Sequence, residues 1–358
     1  MSKINPKNEK MKRLFEKFCK NSKGHSDKSI TLYFKAVYAY EDYTKYECFS
    51  KFNDDKAIAF REYLVNSENK RALSTVYDYL RYLKVFFVWL SNQQGYKKPI
   101  NKEHIDCLRL SREQTEMATT PQRERYPTLA IVQKVVHSMS VNSELDLRDR
   151  ALISFTLLSG MRDNAIITLP IKCFDVNSLE VYHDVKAGVK SKFGKTHQTY
   201  IFPFDERMLG YVTDWYNYLV KEKLYSLDAP LFPKNKVEQS ENSKSFMSKT
   251  FEPEFWKTTS PITEIFKQRF EETGMDYYSP HTFRHLANHL TKKACRSIEE
   301  FQAVSQNFGH QNMGTTFSNY GKLPAYQVKE VISGLDFSGK KKKISSDKLQ
   351  KLLDMIED

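Results

Sequence analysis

Four short stretches of this chain hold residue types at spacings that suit catalysis. Ser159-Gly160-Met161-Arg162 puts an arginine just past an apolar helix and a glycine turn. Gly194-Lys195 sits at the tip of a strand pair that ends in Ile201-Phe202-Pro203. In Ser279-Pro280-His281-Thr282-Phe283-Arg284-His285, Pro280 stands where a helix starts well, and His281 and Arg284, three apart, share a helix face. Asn307-Phe308-Gly309-His310 is followed by Thr315-Thr316-Phe317-Ser318-Asn319-Tyr320. Together they offer cationic donors, proton-transfer groups and a phenol. Singly, each has an ordinary reading: a helix-capping arginine, a solvated hairpin lysine, one packing tyrosine among 21. His281, His285, His289 and His310 raise the question of a metal. No glutamate stands between His285 and His289 in the HExxH manner and no cysteine is placed to help, so no metal is expected.

In this order, the four stretches resemble the tyrosine recombinases, also called phage-type integrases. LLSGMR resembles the family's T-G-x-R box and GKTHQTYIFP its β-hairpin lysine segment. SPHTFRH is close to its P-H-x-L-R-H box, and FGHQNMGTTFSNYGK resembles its L-G-H…T-T…Y box, in the subgroup ending T-x-x-Y-G. The resemblance covers roughly residues 120 to 335, and the helical region upstream fits the family's core-binding domain by position and length. Three features depart from the pattern. The acidic residue usual three places after the first arginine is Ala165 here, the helix after Arg284 is one residue short, and the stretch from His289 to Gly309 is long.

The resemblance implies a site-specific recombinase that cuts and rejoins DNA through a covalent 3′-phosphotyrosyl link, without metal, ATP or other cofactor, for integration or excision of a mobile element. Carried onto this sequence, Arg162 and Arg284 clamp the scissile phosphate, because guanidinium forks bind phosphate oxygens bidentately and keep their charge. Stabilisation of this kind is often worth ~3 kcal/mol per donor removed. His310 adds a donor to a phosphate oxygen, and His281 donates a hydrogen bond or takes the tyrosine proton. Tyr320 is the nucleophile; a phenol of pKa near ~10 needs a base or a cationic pocket to attack at neutral pH. Lys195 gives the leaving 5′-oxygen its proton, with Lys192 as the rival for that role. Tyr277, Tyr278 and Tyr326 are rivals to Tyr320 that stand wrongly relative to Gly309-His310.

The elements that must hold these residues read as mainly α with a small β-sheet or hairpin, in the two-domain tyrosine recombinase architecture that the resemblance implies. Residues 1–25 form a basic segment in which Leu14, Phe15 and Phe18 recur at helical spacing. Residues 26–110 read as a helical core-binding domain. Ile30, Tyr33, Val37 and Tyr40 line one helix, Ile58, Tyr63 and Leu64 a second, and Val76, Leu80, Leu83, Phe87 and Leu90 a third over about 73–92. Residues 111–127 are polar, include Pro121 and lack an apolar period, and read as a linker. The catalytic domain spans 128–338, with helices at 128–139, 146–159, 205–223, 261–273, 281–293 and 299–307. Strands are expected at 174–185 and 189–204, and an irregular polar loop at 234–259. Residues 339–358 hold the basic run Lys340–Lys343 and a tail helix at 345–356 with Leu349, Leu352, Leu353 and Ile356 on one face. So short a helix needs something to dock on. The resemblance suggests a neighbouring protomer, and the alternative is its own domain.

Composition narrows the class further. The chain has 358 residues, 40% of them hydrophobic, which excludes a disordered or fibrous chain. Its longest apolar run, Val85 to Leu90, is far too short to span a bilayer. The charged N-terminus points to a cytoplasmic protein. Five scattered cysteines without a CxxC pair argue against a disulfide framework. The net charge of +12 suits a polyanion, and the resemblance makes that partner double-stranded DNA, held in a C-shaped clamp. It also implies a homotetramer that exchanges C-terminal helices, with DNA-bending accessory proteins as possible partners. Two other readings share the residues. One is a type IB topoisomerase-like enzyme that nicks and rejoins one strand, with a telomere resolvase as a variant. The other is a catalytically silent DNA-binding accessory protein, which the full Arg/Lys/His/Tyr set argues against.

Overall fold

The computed structural model describes residues 4–66, 71–120, 125–191, 194–239, 246–309, 325–335 and 337. The fold is mainly α with small antiparallel sheets, and the chain divides into two compact units, residues 1–123 and 124–358. Among the described residues no helix is long and apolar enough to cross a membrane.

The first unit contains α1 (Pro6–Lys17), α2 (Asp27–Tyr43), α3 (Asp54–Asn66), α4 (Leu73–Leu90), α5 (Lys102–Asp106) and α6 (Arg112–Thr119). The basic N-terminal stretch supplies α1, capped by Asn5, and its Phe15 is fully buried between Phe86 of α4 and Tyr33 of α2. On α4, Val76, Leu80, Leu83, Phe87 and Leu90 are all buried, as their period predicts. The apolar face of α3 differs from the sequence reading. Ala57, Phe60 and Leu64 are buried, while Tyr63 is 45% exposed and Ile58 half-buried. Phe60 decides the phase, because its ring packs edge-on against Tyr40 at 5.1 Å. Within the polar stretch 111–127, α6 forms without an apolar period. A capping box between Ser111 and Gln114 satisfies its first N–H groups and starts the helix.

The second unit is built around α8 (Glu144–Ser159), whose residues from Ala151 to Ser159 are all buried. It follows α7 (Leu129–Ser138) and packs against α10 (Glu206–Asn217) and α12 (Pro280–Ala294). After α9 (Asp163–Ile166) come β1 (Phe174–Asp175), β2 (Glu180–Tyr182) and β3 (Gln198–Tyr200), an antiparallel sheet in that order with Val181 opposite both Phe174 and Thr199. The long strands expected at 174–185 and 189–204 are thus short. A turn at 176–179 and loop residues 183–191 and 194–197 interrupt them, and Gly188 and Gly194 there take φ values of 91° and 61°.

The expected irregular loop at 234–259 contains a hairpin, β4 (Lys234–Gln239) with β5 (Phe246–Glu252). Lys234 pairs with Glu252 across it at 2.9 Å, and Phe251 packs on Trp215 of α10, contacts between residues far apart in sequence. α11 (Ser260–Glu272) is tied to α8 by a buried ion cluster in which Asp149 accepts from Arg148 at 2.7 Å and from Arg269 at 2.7 Å. α13 (Ile298–Asn307), capped by Ser297, and α14 (Ala325–Ser333) complete the unit. The expected tail helix at 345–356 lies outside the described residues.

Candidate active site

The first arginine is set by a helix stop. α8 ends on Gly160 with a φ of 58°. A Cβ there would also lie 2.4 Å from Phe308 Cε1, so both the backbone and the ring beside it call for glycine. The chain emerges to place Arg162 as the N-cap of α9. Among the described residues Arg162 has no hydrogen-bond or ion-pair partner, and burial holds its guanidinium below the ordinary arginine value.

Arg284, on α12, is 8% exposed. Its Nη1 donates to the Gly160 carbonyl and its Nη2 to the Phe308 carbonyl, both at 2.6 Å, and its guanidinium lies 4.9 Å from the Phe308 ring centre. One side chain thus joins the end of α8, the start of α12 and the end of α13. Burial first, then the charge of Arg162, pushes Arg284 down to about 9. Two guanidiniums therefore share one field in a partly dry place, and an anion bound there would relieve both.

Lys195 is exposed on the loop from β2 to β3, where its carbonyl accepts from Ser191 Oγ at 2.6 Å. Two residues on, His197 stacks on His183 with ring centres 3.8 Å apart. His183 is buried, its Nε2 lying 3.0 Å from Thr199 Oγ1, and that hydroxyl donates to the Asn307 carbonyl at 3.0 Å. The Thr199 proton is thereby committed, so His183 Nε2 is the donor. Burial, then His197 and the two guanidiniums, pushes His183 down to about 2. Burial lowers His197 too, with Arg162 and Arg284 adding to it. The Asn307 side chain accepts from Tyr200 N at 2.6 Å and donates to Tyr200 O at 2.9 Å, pinning the end of α13 to β3. Beyond it Gly309 takes a φ of 64°, and a Cβ there would meet His197 Nε2 at 2.9 Å.

His281 lies exposed at the start of α12, its ring edge-on to His285 at 4.8 Å. Asp163 is within its electrostatic reach. The Asp163 Oδ1 is buried without a partner among the described residues; burial raises the carboxyl pKa and His281 opposes that rise. His310, Tyr320 and the rival Lys192 lie outside the described residues. Of the rival tyrosines, Tyr278 is buried against Phe270, while Tyr277 and Tyr326 are exposed. Among the described residues no three His, Cys, Asp or Glu side chains gather where a metal ion could be held.

Residues 130–325 match the phage integrase family. The chain belongs to that family, and so to the tyrosine-type site-specific recombinases. Solved structures agree on the fold. A lambda integrase dimer bound to a COC′ core site aligns with a TM-score of 0.57 at 13% identity, over 94% of this chain and 79% of that one. A lambda integrase tetramer bound to a Holliday junction aligns at 0.56 and 13%, over 86% and 77%. The Tn1549 transposon integrase in complex with transposon right end DNA aligns at 0.55 and 12%, over 89% and 97%. No curated protein matches the chain in sequence.

For this integrase-family chain, the structure brings Arg162, Arg284, the Lys195 loop and the Phe308–Gly309 turn together. It also brings in residues that the sequence reading left unassigned: Asp163, His183, His197 and Asn307. Only His197 left a sequence signal. It stands two residues after Lys195.

Proposed function

We propose that this chain is a DNA-cleaving and rejoining recombinase that works through a 3′-phosphotyrosyl intermediate, moves a mobile element into or out of DNA, and needs neither metal nor ATP. The observation that carries the reading is Arg284 bonded to the carbonyls of Gly160, two residues before Arg162, and of Phe308, which gathers both guanidiniums where the motifs meet. A scissile phosphate supplies the anion that pair calls for, and forked donors suit its oxygens. Tyr320 attacks phosphorus, the 5′-oxygen leaves with a proton from Lys195, and the rejoining 5′-hydroxyl reverses the step. His310 and His281 hydrogen-bond the phosphate or the reacting hydroxyl. In this reading residues 26–110 bind DNA as the core-binding domain, 111–127 link, and 128–338 catalyse. The 339–358 tail docks on a neighbouring protomer of a tetramer. The net charge of +12, and similar folds solved on DNA and on a Holliday junction, support DNA as partner.

The test uses a nicked suicide duplex drawn from DNA flanking the gene, incubated in EDTA with wild type and with Tyr320→Phe. An SDS-resistant adduct from wild type alone is the expected result. Salt-sensitive binding without any adduct, repeated across a random-sequence library, would instead favour a silent accessory protein. An adduct that persists in Tyr320→Phe would move the nucleophile elsewhere.

A further inference from the structure

His197 is where the parts of the site meet. One face of its ring lies on His183, which the Thr199–Asn307 chain holds in place. Its Nδ1 lies 3.4 Å from the Lys195 carbonyl oxygen, and a carbonyl can only accept, so Nδ1 carries the proton and Nε2 presents a lone pair. That Nε2 occupies the space a Cβ of Gly309 would need. The ring also lies within the field of both Arg162 and Arg284. The imidazole therefore fills the gap between the lysine loop and the turn that follows α13. It grips the loop at the Lys195 carbonyl, which also accepts from Ser191 Oγ at 2.6 Å, while the lysine side chain is exposed.

We propose that His197 is a positioning residue for Lys195: a wedge, seated on His183 and closed off by Gly309, that fixes the lysine backbone relative to the arginine pair. The proposal rests on Lys195 being the proton donor to the leaving oxygen. It explains why the turn after α13 is glycine beyond its positive φ, since any Cβ would displace the wedge. General acid catalysis is worth roughly 10²–10⁴-fold. A misplacement of about 1 Å can cost as much as ~10²-fold. Loss of the wedge is therefore expected to slow cleavage by roughly 10- to 100-fold, less than loss of Lys195 itself.

The experiment compares cleavage of an ordinary suicide duplex with one carrying a bridging 5′-sulfur, a leaving group that needs no proton. His197→Ala and Lys195→Ala are each expected to be slow on the oxygen substrate and restored to near the wild-type rate on the sulfur one. Rescue of Lys195→Ala without rescue of His197→Ala overturns the positioning role alone. Rescue of neither overturns the lysine reading and this proposal with it. If His197→Ala folds poorly, His197→Leu, which keeps bulk in the gap but has no donor for the Lys195 carbonyl, carries the same comparison. The wedge has its own check in a double-variant cycle. Adding His197→Ala to Gly309→Ala is expected to regain part of the melting temperature lost by Gly309→Ala, and strict additivity overturns the steric contact.

Discussion

Replacing Arg284 by lysine keeps the charge but removes the fork, and the structure assigns a size to the loss. The guanidinium makes two bonds of 2.6 Å to the Gly160 and Phe308 carbonyls. Hydrogen bonds to charged groups contribute about 1.5–3 kcal/mol each. An ammonium on a single stem can reach one carbonyl and gives up the second bond. Arg284→Lys is therefore expected to destabilise the second unit by about 2–3 kcal/mol, or ~4–12 °C in melting temperature for a unit of this size. Arg162→Lys provides the contrast. That guanidinium has no partner among the described residues, so its loss is expected to cost under ~1 kcal/mol, although on the proposed function both variants are expected to slow cleavage. Tryptophan fluorescence during thermal unfolding reads the effect, because Trp215 and Trp256 lie in the second unit and Trp89, removed as Trp89→Phe, in the first. Equal shifts for the two arginine variants would refute the assignment of Arg284 as the clamp.

Other outcomes follow from the same geometry. Inorganic phosphate at about ten times its Kd is expected to stabilise wild type by about 1.4 kcal/mol and to leave Arg162→Ala unmoved, read by melting temperature. Asp149→Ala leaves Arg148 without its carboxylate partner while Arg269 keeps Asp146 and Glu272, and is expected to cost about 3 kcal/mol, read by urea denaturation. Burial raises the pKa of Asp146, but the Ser143 hydrogen bond and Arg269 outweigh it. Glu144 is likewise held low, by Lys223 and Tyr218 against its burial. Their stabilisation is complete above the unfolded carboxylate pKa of about 4 and is lost as pH falls through the lower folded values. Melting temperature measured from pH 7 to pH 3 is expected to drop on the acid side, less so in Asp146→Asn. DNA affinity is expected to fall linearly in log K against log salt, with one unit of slope for each phosphate-contacting cation removed, read by titration at several salt concentrations.

By itself the sequence determined the family and most of the helices. The family's motifs hold residue types in a fixed order, so they stay visible as LLSGMR, SPHTFRH and their companions even without a fold. A stripe such as Val76–Leu80–Leu83–Phe87–Leu90 declares its helix because burial follows the 3.6-residue period. Local hydrogen-bond rules were equally legible, with Pro280 opening α12 and Gly160 closing α8. The tertiary structure alone decided what depends on partners distant in the chain. The hairpin at 234–252 exists because its two strands pair with each other and lean on Trp215 and Glu144. The buried face of α3 was chosen by Tyr40. Arg284 became a clamp only when carbonyls 160 and 308 were brought to it, and His197 a wedge only when Gly309 closed over its ring. Pattern and spacing record what a residue is and how often it recurs, but which carbonyl or ring it meets across more than a hundred residues is settled only when the chain has packed.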